Sequence, residues 1–112
     1  MSDPVLYEID DHGVVTLTLN RAEMRNPITD PEMIAAMLAA LERLETDPAA
    51  RVAILTGAGK GFSSGGNIHE MKPGGNLNTC APVRTLVAYK RGVQHLPLAF
   101  AALEVPVIAA AN

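Results

Sequence analysis

Along the chain, apolar positions first alternate, then recur every three or four residues, then cluster in short runs. Each change of period marks an element. Residues 5–9 (VLYEI) alternate and run into Asp10, Asp11, His12 and Gly13, a turn cluster whose glycine can take a positive φ. Residues 14–20 (VVTLTLN) follow with β-branched side chains at a period of two, so the two segments predict an N-terminal β-hairpin. Residues 20–27 predict a loop, in which Pro27 turns Asn26 away from helix. Thr29 and Glu32 then show capping-box spacing, Pro31 suits a first helical turn, and Asp30 and Glu32 complement the positive end of the helix dipole. Met33, Ile34, Met37, Leu38, Leu41 and Leu44 recur at helical spacing, so one stripe faces a core, and Thr46, Asp47 and Pro48 end the helix.

The run at 52–56 (VAILT) is short, apolar and bounded by turn signals, which predicts a strand buried on both faces. Strand, helix and strand in that order predict a βαβ crossover and an α/β class. Residues 57–66 then hold five glycines in ten positions, the most unusual composition in the chain. Asn67 can cap a short helix at 68–71, and residues 72–82, rich in Gly, Asn and Pro, predict a mobile loop. Residues 84–103 predict helix, with Pro97 either kinking it or opening a second one. A second buried strand is expected at 106–111, and the chain stops at Asn112. Neither an internal repeat nor a linker between domains is visible.

Composition narrows the class. A length of 112 residues suits one small domain, and 48% hydrophobic with 19% charged residues is the mixture of a soluble globular protein. A net charge of -3 with no basic run argues against a nucleic-acid partner. The longest apolar stretch is broken by Pro97, Glu104 and Pro106, so no membrane span is expected. Residues 1–4 lack the basic and apolar regions of a signal peptide. The single cysteine, Cys80, excludes an internal disulfide and fits a reducing cytoplasm, where its loop position predicts an inert thiol. His12 and His95 have no partner at ligand spacing, so no metal site is expected.

The glycine-rich segment lies between a strand and a helix, where backbone N–H groups can point at a ligand. A Walker-type phosphate loop fails on it, because Ile54 stands where the first glycine belongs and Gly61 follows Lys60. A dinucleotide fingerprint opening at Gly57 fails as well, with Phe62 in place of the last glycine. Residues 61–65 do spell G-x-S-x-G, the nucleophile elbow of serine hydrolases, which would make Ser63 a nucleophile. Against it, Gly57, Ala58, Gly59 and Lys60 separate the elbow from its strand, and the remaining residues offer no convincing acid–histidine pair.

Residues 52–71 (VAILTGAGKGFSSGGNIHEM) resemble the crotonase segment written as an apolar strand followed by T-G-x-G-x-x-F-[SC]-[AS]-G-[AG]-D-[LI]-x-E-M. Upstream, residues 19–28 (LNRAEMRNPI) are similar to that family's L-N-R-P-x-x-x-N-A-[LI]; downstream, residues 105–112 (VPVIAAAN) are similar to its [KV]-P-V-I-A-A-[VI]-N. The three motifs stand in the family's order and are spread over residues 19–112. The resemblance implies the N-terminal part of an α/β crotonase spiral of ββα units, residues 1–112 being one incomplete domain of an enoyl-CoA hydratase/isomerase-type enzyme. It also implies acyl-CoA thioester chemistry, in which a backbone oxyanion hole stabilises an enolate.

By position in those motifs, Gly66 supplies the first oxyanion N–H, Met24 and Arg25 meet the adenine and phosphates of coenzyme A, and Ser64, Gly66, Asn67, Ile68 and His69 border the thioester and pantetheine. No cofactor is implied, since coenzyme A is part of the substrate, and a homotrimer or dimer of trimers is the implied assembly. The second donor and the acid–base glutamates of such enzymes fall beyond Asn112, so the isolated chain is expected to be inactive. Asn67 departs from the family's Asp; both can cap a helix, but a charge role is in doubt. Pro27 replaces the common Ala. Plainer roles stand beside these: positive φ for Gly65 and Gly66, a solvated charge for Arg25, exposure for His69, and core packing for Met33 and Met37. A non-catalytic protein keeping the scaffold for binding or assembly is the alternative function.

Overall fold

The computed structural model describes residues 2–66, 68–75 and 81–112. β1 (Val5–Ile9) and β2 (Val14–Leu19) form the hairpin in antiparallel register, with Val5 opposite Leu19 and Tyr7 opposite Leu17. Its turn is set by Asp10, whose carboxylate accepts the N–H groups of His12 and Val14 at 2.8 and 3.0 Å. The Val14 bond above all, with that of His12, holds the Asp10 carboxyl below the usual carboxylate value. Gly13 has φ +81, and a Cβ there would press on the Ala49 carbonyl and the Arg51 side chain, so the turn needs glycine.

From β2 the chain crosses through α1 (Pro31–Thr46) to β3 (Val52–Gly57), which pairs parallel with β2. The predicted βαβ unit is therefore present. β3 pairs parallel in turn with β4 (Val107–Ala109), giving a four-stranded sheet in the order β1-β2-β3-β4. The core lies between one sheet face and α1. Val15, Leu17, Leu19 and Ala53 point up from the strands, and Met33, Met37, Leu41 and Leu44 point down from the helix, all with 2% exposure or less. Alternation in β2 and the helical stripe in α1 thus read correctly, because each is the geometric signature of a one-sided element.

Two expectations are corrected and one alternative is decided. The N-cap of α1 is Asp30 and not Thr29, since Pro31 keeps the residue before it out of the helical region, and no side-chain cap bond is made from Asp30. Glu32 instead lies 4.0 Å from the guanidinium of Arg21. Of the two alternatives for 84–103, the second helix is the one present: α3 (Pro82–Arg91) and α4 (His95–Ala102) part at Gly92, and Pro97 lies in the first turn of α4. α2 (Ile68–Met71) precedes them at its predicted place. Finally, β3 and β4 are not buried on both faces: Ile54 is half-buried and Ile108 is 58% exposed. Among the described residues, helix covers one side of the sheet, so apolar runs there met only one layer. The expectation for residues 72–82 falls partly outside the described residues, as does Cys80; residues 72–75 form a turn closed by the Gly75 N–H on the Lys72 carbonyl at 2.8 Å. Among the described residues no helix is long and apolar enough to cross a membrane.

Candidate oxyanion and thioester site

The site begins where β3 ends. At Gly57 a Cβ would meet the carbonyl oxygen of Phe62, with the Phe62 Cα at 2.8 Å, so the chain folds back on itself too closely for any side chain. Gly59 has φ +84 and faces the Ala22 methyl, which brings the glycine turn against the early loop. That loop contains a single 3-10 turn at Ala22–Met24 and closes with two left-handed residues, Arg25 at φ 64 and Asn26 at φ 52. Asparagine tolerates this region better than most side chains, and Pro27 removes the right-handed alternative.

Asn26 is wholly buried and joins the two segments. Its side-chain oxygen accepts the Arg21 N–H at 2.7 Å, and its amide nitrogen reaches the carbonyls of Ala58, Phe62 and Gly61 at 3.0, 3.1 and 3.3 Å. Its main-chain carbonyl accepts the Ser63 hydroxyl at 2.7 Å, and Ser63 Oγ in turn accepts the Gly65 N–H at 3.0 Å. Ser63 is thereby spoken for on both sides. Its hydroxyl hydrogen goes to a carbonyl, not to a histidine, which removes the nucleophile-elbow reading. From the other flank Asn112 holds the same turn, donating to the carbonyls of Gly57 and Gly59 at 2.9 and 3.0 Å.

The Gly65–Gly66 peptide follows from this frame. Gly65 takes φ +83, bridges Pro27, and its carbonyl accepts the Ile28 N–H at 2.8 Å. No peptide of the described residues is cis, and in a planar trans peptide the N–H points opposite to the C=O. With the Gly65 carbonyl fixed toward Ile28, the Gly66 N–H is turned the other way. Among the described residues no hydrogen bond takes it. A Cβ on Gly66 would run into the methyl end of Met71, so α2 packs directly over this position.

The other predicted residues divide. Arg25 and Ser64 come together: the Ser64 N–H donates to the Arg25 carbonyl at 2.8 Å, and both line a groove of about 740 Å³ with Glu23 and Lys60. Two cations against one carboxylate leave that groove suited to an anion. Its N–H is used internally, so Ser64 does not offer that donor to the groove. Met24 is 47% exposed beside this loop but does not line the groove, and His69 is exposed on α2. Ile68 opens α2, while Asn67 lies outside the described residues. Across the turn, a second cavity of about 460 Å³ with an apolar lining includes Leu19, Ile28, Phe62, Leu96 and Phe100. Sequence reasoning missed Lys60, Ser63 and Asn26 as builders of the site. The only signal was their place inside the motifs, since their roles depend on long-range hydrogen bonds.

A mixed four-stranded α/β sheet, parallel from β2 to β4 and running from β3 into a glycine turn, has the architecture of the crotonase fold. An enoyl-CoA hydratase/carnithine racemase structure from Magnetospirillum magneticum matches with a TM-score of 0.81 and 28% identity, over 99% of this chain and 39% of that one. A putative enoyl-CoA hydratase/isomerase from Mycobacterium abscessus matches with a TM-score of 0.79 and 28% identity, over 96% of this chain and 40% of that one. In sequence, the chain is 36% identical over 110 residues to a probable enoyl-CoA hydratase of Mycobacterium tuberculosis, covering 98% of this chain and 40% of that protein. It is also 37% identical over 103 residues to a 1,2-epoxyphenylacetyl-CoA isomerase of Escherichia coli, covering 91% of this chain and 37% of that protein. The enoyl-CoA hydratase/isomerase family model matches residues 10–112, and the chain belongs to that family. It spans about 40% of the length of the first relatives it matches.

Proposed function

We propose that this chain contributes the first donor of an oxyanion hole to an acyl-CoA enzyme of the hydratase/isomerase type. The carrying observation is the Gly65–Gly66 peptide: its carbonyl is pinned by Ile28 at 2.8 Å and its N–H is left without a partner among the described residues. As an enolate forms, the thioester oxygen gains negative charge, and a donor already fixed in place needs no reorganisation to meet it. The anion-suited groove beside Arg25 and Lys60 fits the phosphates of coenzyme A, and the thioester then lies toward Gly66, Ile68 and His69. Asn67 belongs to the same stretch of chain. No cofactor beyond the coenzyme A of the substrate enters this reading, and the homotrimer, or dimer of trimers, is its expected assembly.

The test compares three forms of the full-length protein with an enoyl-CoA substrate. Gly66→Pro deletes the N–H, and loss of one such donor costs roughly 3–4 kcal/mol, a fall of about 100- to 1,000-fold in kcat. Gly66→Ala keeps the N–H and asks only that the flexible end of Met71 move aside, so most activity should remain. Equal kcat in wild type and both variants would remove Gly66 from the chemistry.

A further inference from the structure

Gly65 and Gly66 are consecutive glycines, and around Gly65 nothing lies within 4 Å of where a Cβ would stand. Neither glycine has a side chain of its own to bias the peptide between them, although the end of Met71 packs over Gly66. A glycine peptide of this kind can turn over, exchanging the places of its C=O and N–H, at little cost in φ and ψ. Hydrogen bonds must hold it. The Ile28 N–H grips the carbonyl side, and Ser63 Oγ accepts the N–H of Gly65, fixing the peptide before it.

We infer that Ser63, backed by Asn26, is the positioning residue that keeps the Gly66 N–H aimed outward. This rests on the oxyanion reading above. Ser63 Oγ is itself held by its hydrogen on the Asn26 carbonyl at 2.7 Å, and Asn26 is immobilised by complete burial with side-chain bonds to Arg21, Ala58, Gly61 and Phe62. The relay runs from a rigid, buried amide through one hydroxyl to a flexible glycine pair. It also occupies the Gly65 N–H, so that of these two adjacent donors only that of Gly66 is presented to a ligand. Ser63 touches no reacting atom; it acts through the turn.

The experiment uses the full-length protein, an enoyl-CoA substrate and the same substrate carrying a carbon-13 thioester carbonyl. In Ser63→Ala, kcat should fall by about 10- to 100-fold, the range expected when a donor is misplaced rather than deleted, while KM changes less than about threefold. The infrared carbonyl band of the bound substrate, shifted by the oxyanion donors in wild type, should move back toward its free frequency. Ser63→Cys, with a weaker donor and acceptor, should fall between wild type and Ser63→Ala in both readouts. Asn26→Gly, which keeps the left-handed φ and drops the side chain, should move the band in the same direction; if it does not fold, the two Ser63 variants still decide. A Ser63→Ala enzyme with wild-type kcat overturns the inference, and so does a slowed one whose carbonyl band is unmoved. Gly66→Pro separates the failures: if it is inactive while Ser63→Ala is normal, only the relay falls, and if it too is normal, the oxyanion reading falls with it.

Discussion

The layer of α1 on β2 and β3 and the turn at 57–66 are held by different forces, though they share an edge at Leu19 and Ala58. The layer is made of Leu, Met, Val and Ala side chains whose only requirement is to leave water, and it contains no buried polar side chain of its own beyond its margin at Asn26 and Thr29. The turn has almost no apolar side chains. It is held by Asn26 on one flank, Asn112 on the other, and glycines where backbone approaches backbone. Apolar burial is non-directional and sets stability; hydrogen bonds to fixed carbonyls are directional and set geometry. Damage to the layer should therefore show in stability, and damage to the turn in geometry and binding.

The largest effect on stability is expected in the layer. Leu17 is fully buried at the centre of β2, and Leu17→Ala should destabilise by about 2–5 kcal/mol, the range for a core leucine that leaves a cavity. Denaturant midpoints give that number. If the two regions are independent, the proposed coenzyme A binding by the folded fraction should not change. A Leu17→Ala protein that keeps its midpoint but loses ligand would break the division between the two regions.

Next in size is a pair of glycine substitutions inside the turn. At Gly57 the added methyl meets backbone, the Phe62 carbonyl and Cα, which cannot step aside as a side chain can. Gly57→Ala should therefore cost about 1–3 kcal/mol, the usual penalty for forced overpacking, and should impair ligand binding as well. At Gly61 nothing lies within 4 Å and φ is not left-handed, so Gly61→Ala should stay within about 0.5 kcal/mol of wild type. Thermal melts of the two variants side by side test this; equal losses would mean that glycine content, not the close approach at Gly57, is what the turn needs.

The same contrast explains how much was legible beforehand. The hairpin, α1, β3 and their βαβ order follow from periods of two and 3.6 in the apolar residues, because a one-sided element must repeat its buried face. The spread of Asn26 over Arg21, Ala58, Gly61 and Phe62 has no such period. Its partners are up to 36 positions away, three of them are carbonyls that every residue carries, and no local pattern announces which carbonyl will be near. The helix split at Gly92 was half-legible: Pro97 signalled a possible second helix, while the break itself depends on glycine closing on the Ala88 carbonyl. The capping error has a local cause, since Thr29, Asp30, Pro31 and Glu32 permit two frames one residue apart. Pro31 selects the later one by holding the residue before it, Asp30, in an extended conformation at ψ 135.

On the layer's own side a polar contact sits at the rim, and its loss should cost less than the close approach at Gly57. The Tyr7 hydroxyl donates to Asp47 Oδ2 at 2.9 Å, and the Arg43 guanidinium lies 3.9 Å from the centre of its ring. Burial first, and the bond and charge of Asp47 next, push the Tyr7 pKa from its ordinary 10.0 up to about 12, with Arg43 opposing. The folded chain therefore holds this proton at a pH where the unfolded chain has released it. The contribution to stability is fully present below pH 10 and is lost as pH rises through 12, the reverse of a salt-bridged carboxylate. In a Tyr89→Phe background, which leaves Tyr7 as the single tyrosine of these 112 residues, phenolate absorbance lost on Tyr7→Phe should titrate near the higher value. Tyr7→Phe should cost no more than about 1 kcal/mol at neutral pH and remove this group's share of the alkaline loss. A Tyr7 that ionises at its ordinary value would show that its bond to Asp47 does not persist in solution, and the rim of the layer would then be held by apolar contact alone.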